Sequence, residues 1–209
     1  MVPERVLDAA AREKSDTVDD ARFYSRPRFV QHVDEGFRKR LADLYAEHLP
    51  AGGAVLDLMS SHVSHFPENA DFERVLGHGM NDEELAANPH LDDFFTQDLN
   101  REATLPLEDD ALDAVTIAVS IQYLQYPEDV FAEIARVLRP GGVLIVSFSN
   151  RCFPTKAIRA WREAAMDERA ALVERYLRAA GGFGDPGVIR ERPGTDPFYA
   201  VVARRAEER

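Results

Sequence analysis

The sequence predicts an α/β protein: a mostly parallel, seven-stranded sheet that ends in a C-terminal antiparallel hairpin, with helices on both faces. Three observations predict it. Apolar, β-branched runs alternate with helix-period segments between residues 54 and 150, the pattern of successive strand–helix–strand units. Leu112–Ser120 (LDAVTIAVS) is almost continuously apolar, as a central strand buried on both faces should be. Near the C-terminus, Val188–Glu191 and Phe198–Ala203 are strand-like and separated by the turn-rich RPGTDP, which suits an antiparallel pair.

In chain order, residues 3–14 have helical potential, and Ser15–Asp20 is a polar break. From Phe29 onward, apolar residues at 29, 30, 33, 37, 41, 44, 45 and 49 keep helical spacing, so a long amphipathic helix is expected to end near Pro50. Lying over the sheet's carboxyl edge, it would bring Tyr24, Arg28 and His32 close to a ligand. The alternative is a surface helix with snorkelling side chains. Ala54–Met59 and Arg74–Met80 read as the first two strands, and Ser60–Glu73, interrupted by Pro67, leaves room for a turn or two of helix. Asn81 with Glu84 three residues on has the capping-box pattern of a short helix that stops before Pro89.

Asp93–Leu99 reads as a third strand and Asn100–Ala111, with Pro106, as a crossing loop. The next helix has Pro127 at its first position, Glu128 and Asp129 in the first turn, and Arg136 and Arg139 in the last. Pro140–Gly141–Gly142 should stop it before a fifth strand, Val143–Phe148. Thr155–Ala165 and Glu168–Ala180 read as helices, the second closed by Gly181. A single domain over residues 1–209 is expected, with a helical cap at 1–50, a ligand-binding core at 54–150, and C-terminal helices and hairpin at 151–209.

The charge balance narrows the partners. A formal net charge of −12 opposes non-specific binding to nucleic acid or an anionic membrane surface. Only three of the 25 basic residues are lysines; acid excess with so few lysines suits high salt, and a GC-rich genome would also favour arginine. No stretch of about 18 unbroken apolar residues exists, so no membrane span is expected. The charged N-terminus lacks the apolar core of a signal peptide, and a cytoplasmic location is the expectation. One cysteine, Cys152, forms no internal disulfide and no metal knuckle.

The functional centre is expected in Ala54–Pro67 (AVLDLMSSHVSHFP), where an apolar strand delivers polar groups to a loop at the carboxyl edge. His62 and His65 are candidate bases with a suitable unperturbed pKa. Three residues apart, they lack the glutamate and third ligand of a zinc site, so no metal is expected. Gln122, Tyr123 and Asn150, past the fourth and fifth strands, are candidates for a substrate pocket, though Tyr123 could equally pack over the sheet edge. Trp161 is either a lid residue or core.

Residues 105–150 (LPLEDDALDAVTIAVSIQYLQYPEDVFAEIARVLRPGGVLIVSFSN) closely resemble the fourth-to-fifth-strand region of class I S-adenosylmethionine (SAM) dependent methyltransferases, a Rossmann-like family. VLDL at 55–58 resembles that family's first motif strand, and QDL at 97–99 its acid after the third strand. The LDLMSS loop also resembles an uncharacterised, type 11 methyltransferase-like sub-group. The resemblance implies that Asp57, Met59, Ser60 and Ser61 hold the amino-acid end of SAM, and that Gly79, Met80 and Asn81 meet its ribose. It implies that Asp98 and Leu99 frame the adenine, and that Ser120 and Ile121 line the methionine side.

Two departures stand out. No glycine occurs between Ala54 and Asn69, where the family's loop uses glycines to reach unusual dihedrals, and Gly79 stands where an acid usually holds the ribose. The expected function is methyl transfer from SAM to a small-molecule acceptor, and the alternative is a binding or interaction protein of the same fold with weakened or lost SAM binding. IQYL after Ser120 is not the tetrapeptide of base-amino methylation, and no G-x-G-x-x-G follows the first strand to suggest a nicotinamide enzyme.

Overall fold

The computed structural model describes residues 3–207, so residues 1, 2, 208 and 209 of the expected domain lie outside the described residues. Its sheet comprises β1 (Ala54–Leu58), β2 (Arg74–Gly79), β3 (Asp93–Thr96), β4 (Leu112–Ala118), β5 (Leu138–Phe148), β6 (Gly187–Glu191) and β7 (Phe198–Arg204). The strand order is β3-β2-β1-β4-β5-β7-β6. The first five strands pair in parallel, β7 runs antiparallel to β5, and β6 closes the edge antiparallel to β7. The chain winds one way from β1 and the other way from β4, so the topological switch point, where open α/β sheets bind ligands, lies at the carboxyl ends of these two strands.

Alternation along the strands sends side chains to two cores. On one face α2 (Glu35–His48) buries Phe37, Leu41 and Leu44 against Val55, Ala114, Ile145 and Phe198. Such a fully buried side chain contributes roughly 1.5–3 kcal/mol. On the other face α4 (Pro127–Val137) and α6 (Met166–Ala180) pack Phe131, Ile134, Val173 and Leu177 against Leu56, Ile117, Leu144 and Val146. Trp161, in the short helix spanning Arg159–Glu163, is core and not lid.

Several expectations are corrected. Residues 3–14 form only one 3-10 turn, Ala10–Arg12. A short helix covers Asp20–Tyr24, whereas Phe29 and Val30 belong to an irregular, exposed segment. The long helix begins at Glu35 because the Asp34 carboxylate caps it, accepting from the Phe37 N–H at 2.8 Å. Between β1 and β2 there is no helix: Phe66 instead plugs the sheet face, its ring 5.5 Å from that of Tyr45. After α4 the chain enters β5 at once, Leu138 pairing with Leu112 before residues 139–142 bulge out and pairing resumes at Val143. Thr155–Ala157 precede the short helix and are not part of it.

The N-terminal segment is nonetheless tied across the carboxyl edge. Lys156, fully buried, pairs with Asp16 and Asp20 at 3.2 Å each and donates to the Val18 carbonyl at 2.5 Å. Upstream, Arg12 forms a buried two-pronged pair with Glu128 at 2.7 and 3.1 Å, and the Val6 N–H adds a third bond to that carboxylate. Burial opposes ionisation of Glu128, but Arg12, the Val6 N–H and the residue's own N–H together outweigh it and the carboxyl titrates below its ordinary range. At the other end, Asp34 accepts from the backbone N–H groups of Thr195 and Asp196, and Asp196 accepts from that of Asp34.

Arg12→Ala strands a buried carboxylate, so it should cost about 3–5 kcal/mol in denaturant unfolding, and a double Arg12→Met, Glu128→Met variant should recover most of that loss.

Candidate functional site

A cavity of about 340 Å³ opens over the switch point. Its floor begins with Asp57, placed beside Thr116 by the β1–β4 register. The carboxylate is almost fully enclosed and accepts three hydroxyl hydrogen bonds, from Ser60 (2.6 Å), Ser64 (2.5 Å) and Thr116 (3.0 Å). Burial raises its pKa, and those hydroxyls work in the opposite direction. Asn88 extends the web, donating to both the Ser64 hydroxyl and the Ser61 carbonyl at 2.9 Å. Thus hydroxyls and an amide hold the glycine-free loop.

The turn out of β1 is made by Met59, whose φ of 59° lies in the left-handed region that glycine normally fills. Val119, just past β4, has φ of 53°, rarer still for a β-branched residue. Both line the cavity, and each such residue stores about 1–3 kcal/mol of strain. Two left-handed, non-glycine residues thus stand at the two strand ends of the switch point.

His78 clamps the turn from β2. Its Nδ1 accepts from the Met59 N–H at 3.1 Å, which leaves Nε2 to donate to the Gln97 carbonyl at 3.0 Å. Burial pushes this imidazole down to about 4, and desolvation brings that of the half-buried His65 also to about 4. His32, more exposed, is lowered as well, chiefly by partial desolvation. The hydroxyl of Tyr123 is pushed up to about 12 by burial, and that of Tyr24 higher still.

The structure brings most of the expected residues to this cavity. Asp57, Met59, Ser60 and Ser61 line it from the first loop, Gly79, Met80 and Asn81 from the end of β2, Asp98 and Leu99 from beyond β3, and Ser120 from beyond β4. His62, His65, Tyr24, Arg28, His32 and Tyr123 line it too. The exceptions are Ile121, Gln122 and Asn150. Ile121 packs into the core, Gln122 folds back onto the Val119 carbonyl, and Asn150 is exposed, because the 3-10 turn at Ile121–Tyr123 turns the first two side chains away from the cavity. Among the described residues no cluster suits a metal ion.

Some partners differ from expectation. Glu84 does not complete a capping box. Asn81 accepts from the Glu84 N–H at 3.0 Å, but the Glu84 carboxylate reaches outward to the Ser61 hydroxyl and the Arg28 N–H. The Asn81 amide donates to the Tyr24 carbonyl at 2.9 Å. Gly79 has a steric cause: a Cβ there would lie 2.7 Å from the Ser60 carbonyl oxygen, so the loop path excludes any side chain at that position. Asp98 accepts from the Asn100 N–H at 3.0 Å and sits 3.5 Å from Arg101. The Ser120 hydroxyl is buried and has no partner among the described residues.

An open α/β sheet with a cavity at its switch point places the chain in the doubly wound class. A family model of a methyltransferase domain matches residues 81–146. A SAM-dependent methyltransferase from Mesorhizobium loti superposes with a TM-score of 0.59 at 18% identity, over 78% of this chain and 96% of the other. One from Aquifex aeolicus gives 0.59 at 17%, over 90% and 97%. The [4+2]-cyclase SpnF gives 0.59 at 20%, over 81% and 82%. No functionally curated protein matches the chain in sequence. The chain thus shares the fold of SAM-dependent methyltransferase structures, and its match to a methyltransferase domain lies in residues 81–146.

Two outcomes are expected of the site's polar frame. Asp57→Ala leaves three hydroxyls without their acceptor and should cost about 1–3 kcal/mol in thermal or denaturant unfolding. The imidazoles of His78 and His65 titrate near 4 in the fold, below their ordinary 6.5, so their neutral forms stabilise the protein above about pH 6.5. That contribution should be lost as pH falls from 6.5 towards 4, lowering the melting temperature, while nitrogen NMR at pH 6 should show His78 neutral with its proton on Nε2.

Proposed function

We propose that the protein is a SAM-dependent methyltransferase acting on a small-molecule acceptor. The observation that carries this reading is the switch-point cavity in which Ser120 buries a hydroxyl with no partner among the described residues. A buried polar atom of that kind calls for a ligand group. In this reading Ser120 and Ser60 take the amino-acid end, Met80 and Asn81 flank the ribose, and Asp98 and Leu99 frame the adenine. SAM supplies an electrophilic methyl group on a sulfonium. The residues around it orient the acceptor and exclude water. In this reading His62, which lines the cavity, takes a proton from the acceptor; His65 is neutral at pH 7 but, with a pKa near 4, a weaker base.

A second reading has its own observation. The Ser60 carbonyl crowds the end of β2, and Asn81 already bonds Tyr24 and Glu84, so no carboxylate and only part of one amide is free for the ribose. A ligand-binding or catalytic protein that uses this fold without methyl transfer follows from that. The [4+2]-cyclase SpnF superposes on the same architecture.

Calorimetry with SAM and with S-adenosylhomocysteine separates the two. Asp98→Asn keeps the acceptor for the Asn100 N–H but can no longer accept from an adenine amine. It should weaken S-adenosylhomocysteine at least tenfold, about 1.4 kcal/mol, with little change in melting temperature. Absence of heat with either nucleoside at millimolar concentration would favour the second reading.

A further inference from the structure

We infer that the acceptor side of the cavity is built for an aromatic carboxylate, with Arg28 receiving the carboxylate; the inference rests on the methyl-acceptor reading of that space.

The cavity is lined by four acids and two arginines. Asp20 pairs with Lys156, Asp98 with Arg101, Glu84 binds the Ser61 hydroxyl and the Arg28 N–H, and Asp57 holds its three hydroxyls. Arg151 is neutralised by Asp196 at 2.7 Å. Arg28 is different. Its guanidinium donates to the carbonyls of Phe23 (2.9 Å) and Arg26 (3.3 Å), and no carboxylate among the described residues pairs with it. A half-buried guanidinium has five donors in a planar fork, so donors remain for an anion.

The surroundings specify the rest of the ligand. The guanidinium carbon lies 4.4 Å from the ring centroid of Phe23, 5.6 Å from that of Phe153 and 6.0 Å from that of Tyr24. Tyr123 stacks on Phe153 at 6.0 Å, and His32 meets Phe153 edge-on at 5.4 Å. Rings of this density favour a flat, π-bearing ligand. Doubly wound folds usually meet a ligand's negative charge with the N-terminus of the helix after β1, and here that connection has no helix. In a chain of net charge −12, Arg28 is then the cavity-wall cation without a carboxylate partner among the described residues, and its guanidinium is the group that can receive an anion.

Titration calorimetry of the full chain with benzoate and 4-hydroxybenzoate, each against its benzamide, tests this in wild type, Arg28→Gln and Arg28→Lys, with and without S-adenosylhomocysteine. Wild type should bind each acid at least tenfold tighter than its amide. Arg28→Gln should abolish that preference and Arg28→Lys keep part of it, with S-adenosylhomocysteine affinity unchanged in both. Equal affinity for acid and amide, or binding of neither, overturns the inference. So does a tenfold loss of S-adenosylhomocysteine affinity in Arg28→Gln, which would assign Arg28 to the nucleoside's own carboxylate. Acid binding with no nucleoside binding would uphold the anion site while sinking the methyltransferase reading. If Arg28→Gln fails to fold, the acid–amide comparison in wild type still decides.

Discussion

The carboxylate of Asp57 is the point on which the ligand end of the structure depends. It is buried at the end of β1, where ionisation is opposed by desolvation, and it is tolerated because three hydroxyls converge on it. Those bonds do more than satisfy a charge. They draw Ser60 and Ser64 down onto the sheet, and this curls the loop so that its Ser60 carbonyl rests against Gly79. Remove the glycines from such a loop and backbone freedom disappears; here side-chain hydrogen bonding supplies the shape, and Met59 is held in a left-handed conformation as a result.

The same economy appears in the charges. Within an acidic chain, two cations, Arg12 and Lys156, are used at depth. Arg12 fixes the segment before the cap to the first turn of α4, and Lys156 fixes the start of the cap to the region after β5. Buried pairs like these are weak sources of net stability, but breaking one is costly, so each sets position strongly. The cavity wall therefore comes from two sources: strand ends placed by sheet register, and a cap placed by ion pairs.

The sheet was legible in the sequence because its signals are local. Leu112–Ala118 is apolar throughout, Pro127 sits at a helix start, and RPGTDP turns between the last two strands. The cap was not. Phe29 and Val30 happen to continue the spacing of the helix behind them, and only Asp34, engaged with Asp196 from 162 residues away, stops that helix at Glu35. The missing helix after β1 depends on Phe66 finding the ring of Tyr45, a contact no local pattern encodes. In the site, residues that lie next to a strand end were readable, whereas His78 and Glu84 were passed over as an ordinary strand residue and a cap. Their roles are set by partners on other elements, the Met59 N–H for one and the Ser61 hydroxyl and Arg28 N–H for the other. Ile121 and Gln122 show the reverse error: they are adjacent in sequence to Ser120, and a single 3-10 turn rotates them away.

The cap also has a mechanical character of its own. It is fastened at Asp16–Asp20 by Lys156 and at Asp34 by Asp196, while the stretch between carries exposed Phe29 and Val30 and rests on the cavity through a few bonds to Asn81 and Glu84. A strap clamped at both ends does not swing on a hinge; it bows. Traffic through the cavity then becomes a local opening of a dozen or so residues, with a free energy set by those few bonds and largely independent of the sheet beneath. On the proposed function, ligand exchange would then leave intact the frame that gives the ligand its place.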